Sequence, residues 1–214
     1  MGVAERRERE RQEVRAKILD AARDLFADQG YEAVTMRKIA ERIEYSATAI
    51  YFHFRDKEAL LRALCDADFG ALAVHFHAIA KIADPIARLR RIGLAYVDFG
   101  LTHPNQYRFM FMTPRPALAP EMSSLERGNP EQDAYALLKE TVAEGIAQGR
   151  FRPELQDAEL LSQVVWEATH GAISLHIAKC NDGWIDWKPV RESAALVVDA
   201  LLRGLTVEVK RKGA

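Results

Sequence analysis

The sequence predicts an all-α protein with an N-terminal three-helix unit, residues 1–58, and a larger helical domain, residues 59–214. Apolar residues recur at helical spacing in nearly every segment, and no stretch alternates in the manner of a β-strand. Gly, Pro and Asp residues break this pattern into pieces of helix length. Residues 35–57 add a third observation: two short amphipathic segments with a tight turn between them, which is the pattern of a helix-turn-helix.

The composition limits the classes of function. With 214 residues, 49% of them hydrophobic, the chain has ample material for a core. A net charge of −1 excludes a uniformly basic surface, so any affinity for DNA must come from locally placed Arg and Lys. Cys65 and Cys180 lack the spacing of metal ligands, which fits a reduced protein. The charged N-terminus precedes no apolar stretch, so we expect no signal peptide or membrane span and a cytoplasmic location.

The first helix is predicted by one apolar stripe, and Gly30 can supply the residue that ends it. Its N-terminal part alternates Arg and Glu, with a net charge of +2 through Lys17, and this could help an arm lie along DNA. The same residues have the spacing of solvent-exposed ion pairs, Glu5 with Arg9 and Glu13 with Lys17, and this second interpretation is favoured. The stripe consists of Val14, Ile18, Ala21, Ala22, Leu25 and Phe26.

The two segments of the helix-turn-helix bury a common side. Thr35, Ser46 and Asp56 each stand where a helix begins, and their side-chain oxygens can accept from amides of the first turn. The residues predicted to face inward are Ile39, Ala40 and Ile43 on the first segment and Ile50 and Phe54 on the second.

The second segment leaves Ala47, Thr48, Tyr51 and His53 outward. Small residues allow close approach to base edges, while Tyr and His can hydrogen-bond to phosphates or bases. The start of the segment has no Arg, Gln or Asn, so bidentate base reading is not available from it. Sequence choice must therefore depend on Arg37, thymine methyl contacts, Tyr51, His53 and DNA shape.

A long fourth helix follows and ends at Asp84-Pro85, where the apolar pattern breaks. Residues 86–102 are apolar over a wide face and predict a helix buried on more than one side, whose small residues permit close neighbours. Further helices are predicted at residues 105–112, 130–148, 154–178 and 190–207, with loops at 113–120 and 181–189. The apolar stripe predicted for the fourth helix is Leu60, Leu64, Ala67, Ala71, Val74 and Ala78.

Specific residues give this pattern a family resemblance: Thr35-x-x-x-Ile39-Ala40, then Ser46, then Ile50-Tyr51-x-x-Phe54-x-x-Lys57-Glu58-x-Leu60. On these positions and on its helix order, the chain resembles the TetR family of bacterial transcriptional regulators. A second motif, Trp166-Glu-Ala-Thr-His170-Gly171, resembles the subgroup whose regulatory domain carries Trp-x-x-x-His-Gly. One position departs from the family: Glu44 stands where a turn glycine is usual, at a cost of roughly 1 kcal/mol if the backbone there is left-handed.

The resemblance implies a DNA-binding domain whose roles carry over residue by residue. Arg37 corresponds to a base-edge or phosphate contact, Thr35 and Lys38 to phosphate contacts, and Tyr51 and Lys57 to backbone anchors. The alternative is a surface residue without a role, or, for Tyr51, a core aromatic residue. The expected DNA-binding set is Thr35, Arg37, Lys38, Ser46, Ala47, Thr48, Tyr51, His53 and Lys57.

The resemblance also implies a homodimer and a small-molecule effector. The last two helices, rich in Leu160, Val164, Val165 and Leu175 and in Ala195, Leu196, Val198 and Leu202, would pair with their copies. An effector needs a mostly apolar cavity between helices, and the aromatic candidates predict an apolar or planar ligand. For each candidate, plain hydrophobic core is an equally good interpretation. The ligand candidates are Tyr96, Phe99, Tyr107, Met110, Phe111, Trp166 and His170.

Together these features predict a dimeric repressor that its ligand releases from a near-palindromic operator, with no cofactor. The sequence carries no nucleophile elbow, phosphate loop or metal motif, so an enzyme is not expected. His75 and His77 point in different helical directions and are poor metal partners. The alternative is a helical protein-interaction or metal-sensing bundle whose DNA binding is weak or lost. Glu44 and the low net charge are the features that favour this alternative.

Overall fold

The computed structural model describes residues 2–119 and 123–207, and across them the predicted all-α fold is confirmed. Apart from one isolated bridge between Phe151 and Thr206, these residues contain no β-pairing. The helices are α1 Val3–Gln29, α2 Met36–Arg42, α3 Ala47–His53, α4 Lys57–Ala80, α5 Pro85–Thr102, α6 Pro104–Phe111, α7 Ala134–Ala147, α8 Ala158–Lys179 and α9 Val190–Leu205.

The chain divides into two compact units. The first contains Met1–Phe69 and Asn105–Leu125, and the second contains Gly70–Pro104 and Glu126–Ala214. Helix α4 therefore contributes residues to both units, and α6 belongs to the first. The sequence-based boundary after residue 58 divides expected functions and does not coincide with the division into compact units, and it stays a prediction.

The first unit is built on the buried face of α1. Ile18, Ala21, Ala22 and Phe26 are buried as the stripe predicted. The Phe26 ring stacks on Phe109 of α6 with 6.0 Å between ring centroids. Burying an aromatic or aliphatic side chain of this size stabilises the fold by roughly 1.5–3 kcal/mol. The inward residues of the helix-turn-helix are likewise buried, namely Ile39, Ala40, Ile50 and Phe54, whereas Ile43 is half-buried.

All three predicted helix caps are present. Thr35 Oγ1 accepts from the Lys38 amide at 3.2 Å, and Ser46 Oγ accepts from the Ala49 amide at 3.2 Å. Asp56 Oδ1 accepts from the amide of Ala59 at 2.7 Å, and this bond is the main cause that lowers the pKa of the Asp56 carboxyl. Such caps are worth about 1 kcal/mol each, and they fix where α2, α3 and α4 begin.

The two turns around α2 both need positive φ. Gly30 ends α1 with φ 80° and ψ 156°, and its amide donates to the Phe26 carbonyl oxygen. Glu44 has φ 60°, in the left-handed region where a side chain is costly. The turn between α2 and α3 thus keeps the conformation that glycine favours, although the residue is glutamate.

A buried ion pair joins three helices of the first unit. The Asp68 side chain is 1% exposed. Its carboxylate accepts from Arg23 Nη2 at 2.7 Å and Nε at 2.9 Å, and from Gln106 Nε2 at 3.1 Å. Burial raises the pKa of the Asp68 carboxyl, while the Arg23 guanidinium opposes that rise. These contacts connect α1, α4 and α6, and the sequence analysis did not predict them.

The apolar stripe predicted for α4 is wrong beyond Leu64. Ala67, Ala71, Val74 and Ala78 are exposed. The adjacent stripe has the same helical spacing but larger side chains, so burying it removes more apolar area from water. Because Asp68 places a charge within that stripe, apolar periodicity in the sequence does not reveal it. The buried residues of this adjacent stripe are Leu61, Leu64, Cys65, Asp68, Leu72, Phe76 and Ile79.

The second unit is a bundle around α5, which contacts α7, α8 and α9. Tyr96, Val97 and Phe99 are buried, as the wide apolar face predicted. At Gly93 a Cβ atom would lie 3.2 Å from Val198 Cγ2 and 3.3 Å from Thr169 Cγ2. Glycine at this position therefore lets α5 approach α8 and α9 closely.

The Asp68→Ala variant should lower the free energy of unfolding by about 3 kcal/mol, because it leaves the Arg23 guanidinium partly buried without its main partner. Urea denaturation measures the change. The control is Asp20→Ala, since Asp20 is an exposed partner of the same arginine and should cost at most about 1 kcal/mol. Equal losses in the two variants would contradict the assigned role of Asp68.

The Glu44→Gly variant should raise the free energy of unfolding by about 1 kcal/mol, because glycine adopts φ 60° without a Cβ clash. Thermal and urea denaturation measure the gain. Glu44→Ala is the matched control, since it removes the charge but keeps the Cβ, and it should show no comparable gain. Similar stabilisation by both substitutions would assign the effect to charge instead.

Candidate nucleic-acid interface

Helix α3 presents an exposed polar and aromatic face. Thr48 is exposed and Ala47 and His53 are half-buried. Tyr51 is 52% exposed, so the alternative of a core aromatic residue is wrong. Because Ile50 and Phe54 are buried on the opposite face, the packing positions α3 with these side chains directed outward.

Two exposed aromatic residues were missed in the sequence analysis. Phe52 is 79% exposed and Tyr45, in the turn before α3, is 38% exposed. Phe52 lies between the inward positions 50 and 54, so helical spacing already places it outward. Its apolar character concealed this. An exposed phenylalanine is suited to contact with sugars or with the methyl group of thymine.

The cationic side chains of α2 are engaged in local contacts. Arg37 Nε donates to Glu41 Oε1 at 2.8 Å, and both side chains are exposed. Lys38 Nζ donates to the Ala33 carbonyl at 2.9 Å and to Gln29 Oε1 at 3.2 Å. Exposed pairs of this kind contribute little to stability, so a phosphate can compete for these groups at small cost.

Lys57, at the start of α4, lies over the ring of Tyr31. Its Nζ is 4.0 Å from the ring centroid, a cation–π contact. Burial lowers the pKa of the Lys57 amine, and Glu32 opposes that change. The contact holds the ammonium group in one place beside the cap residue Asp56.

Arginines of α1 lie near the end of α3. The Arg15 guanidinium carbon is 4.4 Å from the centroid of the Phe54 ring. Burial lowers the pKa of the His53 imidazole, and Arg11 and Arg15 lower it further. The Arg/Glu segment is helical from Val3, and its contacts include the exposed pairs Arg6–Glu10 and Glu8–Arg11.

Three of the predicted ligand residues meet in the second unit. Trp166 Nε1 donates to the Tyr96 hydroxyl at 2.9 Å, and that hydroxyl lies 3.4 Å from His170 Nδ1. Burial lowers the pKa of the His170 imidazole. Phe99, also in this unit, lies 6.1 Å from the ring of His75 and 5.3 Å from that of His103.

The other three predicted ligand residues belong to the first unit. The rings of Tyr107 and Phe111 lie 5.0 Å apart, and Phe111 meets Phe69 edge-on at 5.9 Å. Tyr107 and Met110 are buried. The residues predicted as one cluster are therefore distributed over two units.

A second polar group in the second unit was not predicted. The Tyr135 hydroxyl donates to Glu159 Oε1 at 2.7 Å, and Lys139 pairs with Glu159 at 2.8 Å. Hydrogen bonds, first from Lys139, lower the pKa of Glu159 to about 2, and burial raises the pKa of Tyr135 to about 12. The Tyr135 ring lies 5.8 Å from that of Trp166, so this group adjoins the tryptophan network.

The described residues provide neither a cluster of metal ligands nor a membrane-spanning helix. Among residues 2–119 and 123–207, no group of three or more His, Cys, Asp or Glu side chains could hold a metal ion. In the same part of the chain, no helix is both long and apolar enough to cross a membrane.

Two family models match this chain, one in its N-terminal part and one in its C-terminal part. Residues 18–64 match the family described as bacterial regulatory proteins, tetR family. Residues 89–201 match the family described as tetracyclin repressor-like, C-terminal domain. The first match contains α2 and α3 with their caps, and the second contains α7, α8 and most of α5 and α9.

Relatives of known name are transcriptional regulators. The chain is 27% identical over 174 residues to the HTH-type transcriptional regulator UidR of Escherichia coli, covering 77% of this chain and 82% of UidR. It is 27% identical over 158 residues to the HTH-type transcriptional repressor KstR2 of Mycobacterium tuberculosis, covering 72% and 77%.

A solved structure shares the fold. The transcriptional regulator FadR of Bacillus subtilis, in complex with stearoyl-CoA, aligns with a TM-score of 0.69 at 20% identity. The alignment covers 88% of this chain and 98% of FadR.

Proposed function

This chain belongs to the TetR family of bacterial regulatory proteins, and from that premise we propose that it is a homodimeric repressor, released from a near-palindromic operator by a small apolar or aromatic ligand. The DNA-binding part of this proposal rests on the exposed face of α3, whose opposite face is buried in the core of the first unit. A helix that presents outward polar and aromatic groups on a rigid support is suited to enter a DNA groove.

The contacts proposed for DNA are of two kinds. Thr35, Lys38, Tyr51 and Lys57 carry hydroxyl or ammonium groups that suit phosphate oxygens, and they would set the position of α3. Ala47, Thr48 and His53 would approach base edges, with Ser46 beside them. Because few of these groups can form bidentate pairs with a base, we propose that DNA shape contributes much of the sequence choice.

Arg37 is the residue best suited to contact a DNA base. Its guanidinium is held by Glu41 in the absence of DNA, with both side chains exposed to solvent. A guanidinium can pair with guanine O6 and N7 through two parallel hydrogen bonds, and Arg37 carries this group in the first turn of α2, whereas Arg42 lies in the last turn. DNA would therefore replace the carboxylate of Glu41 as the partner of Arg37.

Dimerisation through α8 and α9 is supported by apolar side chains that the second unit leaves exposed. Leu160 and Leu175 of α8 and Leu196 and Val197 of α9 are exposed, with Leu196 at 65%. Val165, Val198 and Leu202, predicted for the same interface, are buried in the unit itself and cannot serve it. The exposed residues would pack against a second copy around a two-fold axis. Two recognition helices would then stand about 34 Å apart, one turn of DNA.

Ligand control is proposed to act through the second unit. Tyr96, Phe99, Trp166 and His170 provide aromatic surface with three hydrogen-bonding side chains, the chemistry that cavities for apolar ligands share. Trp166, His170 and Gly171 form the motif of the Trp-x-x-x-His-Gly subgroup, to which we assign the regulatory domain. The stearoyl-CoA bound to FadR is a precedent for a long apolar effector on this fold.

The coupling between ligand and DNA is proposed to follow α4. This helix, Lys57–Ala80, carries Lys57 at its first position and contributes residues to both units. A ligand shifts the protein only as far as its affinities for two states differ. We propose that the ligand favours a state in which the separation of the two recognition helices no longer fits the operator, as a repressor requires.

DNA binding tests the proposed function directly. Fluorescence anisotropy with DNA from the region upstream of its own gene should show an affinity that falls steeply with salt, because phosphate contacts release counterions. Arg37→Ala and Tyr51→Ala should each weaken binding by about 1–3 kcal/mol. Arg91→Ala, an exposed arginine of α5, is the control and should bind like wild type. An intact dimer without salt-sensitive binding would instead indicate a protein-interaction bundle.

The interface has a separate test. Leu196→Glu places a charge on the exposed face of α9 and should weaken the dimer by at least about tenfold, because a buried charge without a partner is costly. Sedimentation velocity measures the effect. Val74→Glu adds the same charge at an exposed valine of α4 and should leave the dimer intact. A dimer that persists unchanged in the Leu196 variant would place the interface elsewhere.

A further inference from the structure

A groove lies between α1 and α4, entirely within the first unit. It has a volume of 470 Å³, within the range of small-molecule sites. Arg15 and Leu19 of α1 line one side, and Ala59, Arg62 and Ala63 line the other, with Asp66 at one end. The small side chains of α4 leave the space open, and two guanidinium groups border it.

Arg62 carries an unsatisfied donor. Its Nη2 donates to Glu58 Oε1 at 2.8 Å. Its Nε, in contrast, is buried and finds no hydrogen-bond partner among the residues that the structure describes. Leaving a buried donor of a charged group unpaired costs more than the hydrogen bond itself would contribute. An acceptor that entered the groove could satisfy this N–H.

Arg15, unlike Arg62, has no acidic partner among the described residues. Its guanidinium rests on the Phe54 ring and forms neither an ion pair nor a hydrogen bond with the rest of the described chain. Burial lowers the pKa of the Arg15 guanidinium, and the positive charge of Arg11 lowers it further. Its donors therefore remain available, with the planar group already oriented by the aromatic contact.

Among the described residues that line the groove, Asp66 carries the one carboxylate, and both of its oxygens already accept hydrogen bonds. Asp66 Oδ1 accepts from the Ser123 hydroxyl at 2.6 Å, and Oδ2 accepts from the Ser124 hydroxyl at 2.7 Å and its amide at 2.8 Å. No ion pair joins Asp66 to Arg62 or to Arg15 within residues 2–119 and 123–207. The donors of the two arginines are thus not occupied by the carboxylate of Asp66.

We propose that this groove binds a small organic anion, whose carboxylate or phosphate accepts hydrogen bonds from Arg62 Nε and the Arg15 guanidinium. The apolar part of the ligand would cover Leu19, Ala59 and Ala63. Arg15 also contacts Phe54, the residue that ends α3. Occupation of the groove would therefore act on the DNA-reading unit itself, independently of any effector in the second unit.

Hexanoate is a suitable probe, with its uncharged analogue hexanamide as the ligand control. Titration of the whole protein, followed by calorimetry and by the side-chain ¹H–¹⁵N spectrum, should show saturable binding of hexanoate and a shift of the Arg62 Nε–H resonance. Arg62→Gln and Arg15→Gln should each weaken binding by about tenfold or more, as loss of a charge-assisted hydrogen bond predicts. Hexanamide should not bind.

Two further variants separate the site from general effects. Glu58→Gln keeps Arg62 but removes its present partner, so it should bind hexanoate at least as well as wild type. Arg55→Gln removes an exposed arginine of the same unit and should leave binding of hexanoate unchanged. Each variant is first checked for wild-type helicity by circular dichroism.

Several results would overturn the proposal. These are no saturable binding of hexanoate, equal binding of hexanamide, or full affinity in the folded Arg62→Gln and Arg15→Gln variants. A parallel titration with duplex DNA tests the other possible anion, a phosphate of the DNA backbone. If the Arg62 resonance shifts with DNA but not with hexanoate, Arg62 contacts a backbone phosphate and the proposal of a small organic anion fails. Because the hexanoate titration contains no DNA, its result does not depend on the proposed repressor function.

Discussion

The first unit depends on keeping one buried carboxylate paired. Asp68 of α4 accepts hydrogen bonds from Arg23 of α1 and Gln106 of α6. All three helices must therefore be in place before its carboxylate has both partners. Two of these helices, α1 and α6, are also joined by the Phe26–Phe109 stack. Apolar contacts alone tolerate sliding, whereas a bidentate ion pair admits only one register. This constraint fixes the platform on which α2 and α3 rest.

Helices α2 and α3 have seven residues each and could not persist alone, because isolated helices shorter than about 12–15 residues are marginal in water. Caps at Thr35 and Ser46 set their starts, and burial of Ile39 and Ile50 holds them in place. Glu44 retains a left-handed backbone, so the packing on either side outweighs the local cost. The exposed face of α3 is consequently a rigid surface.

Local signals were predictable from sequence, and distant pairings were not. The three caps, the wide apolar face of α5 and the inward residues of α3 follow from spacing along one helix. The Arg23–Asp68 pair spans 45 positions and the Trp166–Tyr96 bond spans 70, and no periodicity encodes such partners. On α4 two stripes had equal spacing, and only the assembled core selects between them. For the same reason, the ligand residues could not be assigned to one unit or the other.

The hydrogen bond from Trp166 to Tyr96 has a spectroscopic consequence. The chain contains three tryptophans, Trp166, Trp184 and Trp187, and all of them belong to the second unit. Indole emission therefore originates from that unit alone, while tyrosines are present in both. Trp184 is almost fully exposed, whereas the Trp166 indole is hydrogen-bonded beside the His170 imidazole, so their emission should differ in wavelength. The chain thus carries its own optical label for one of its two units.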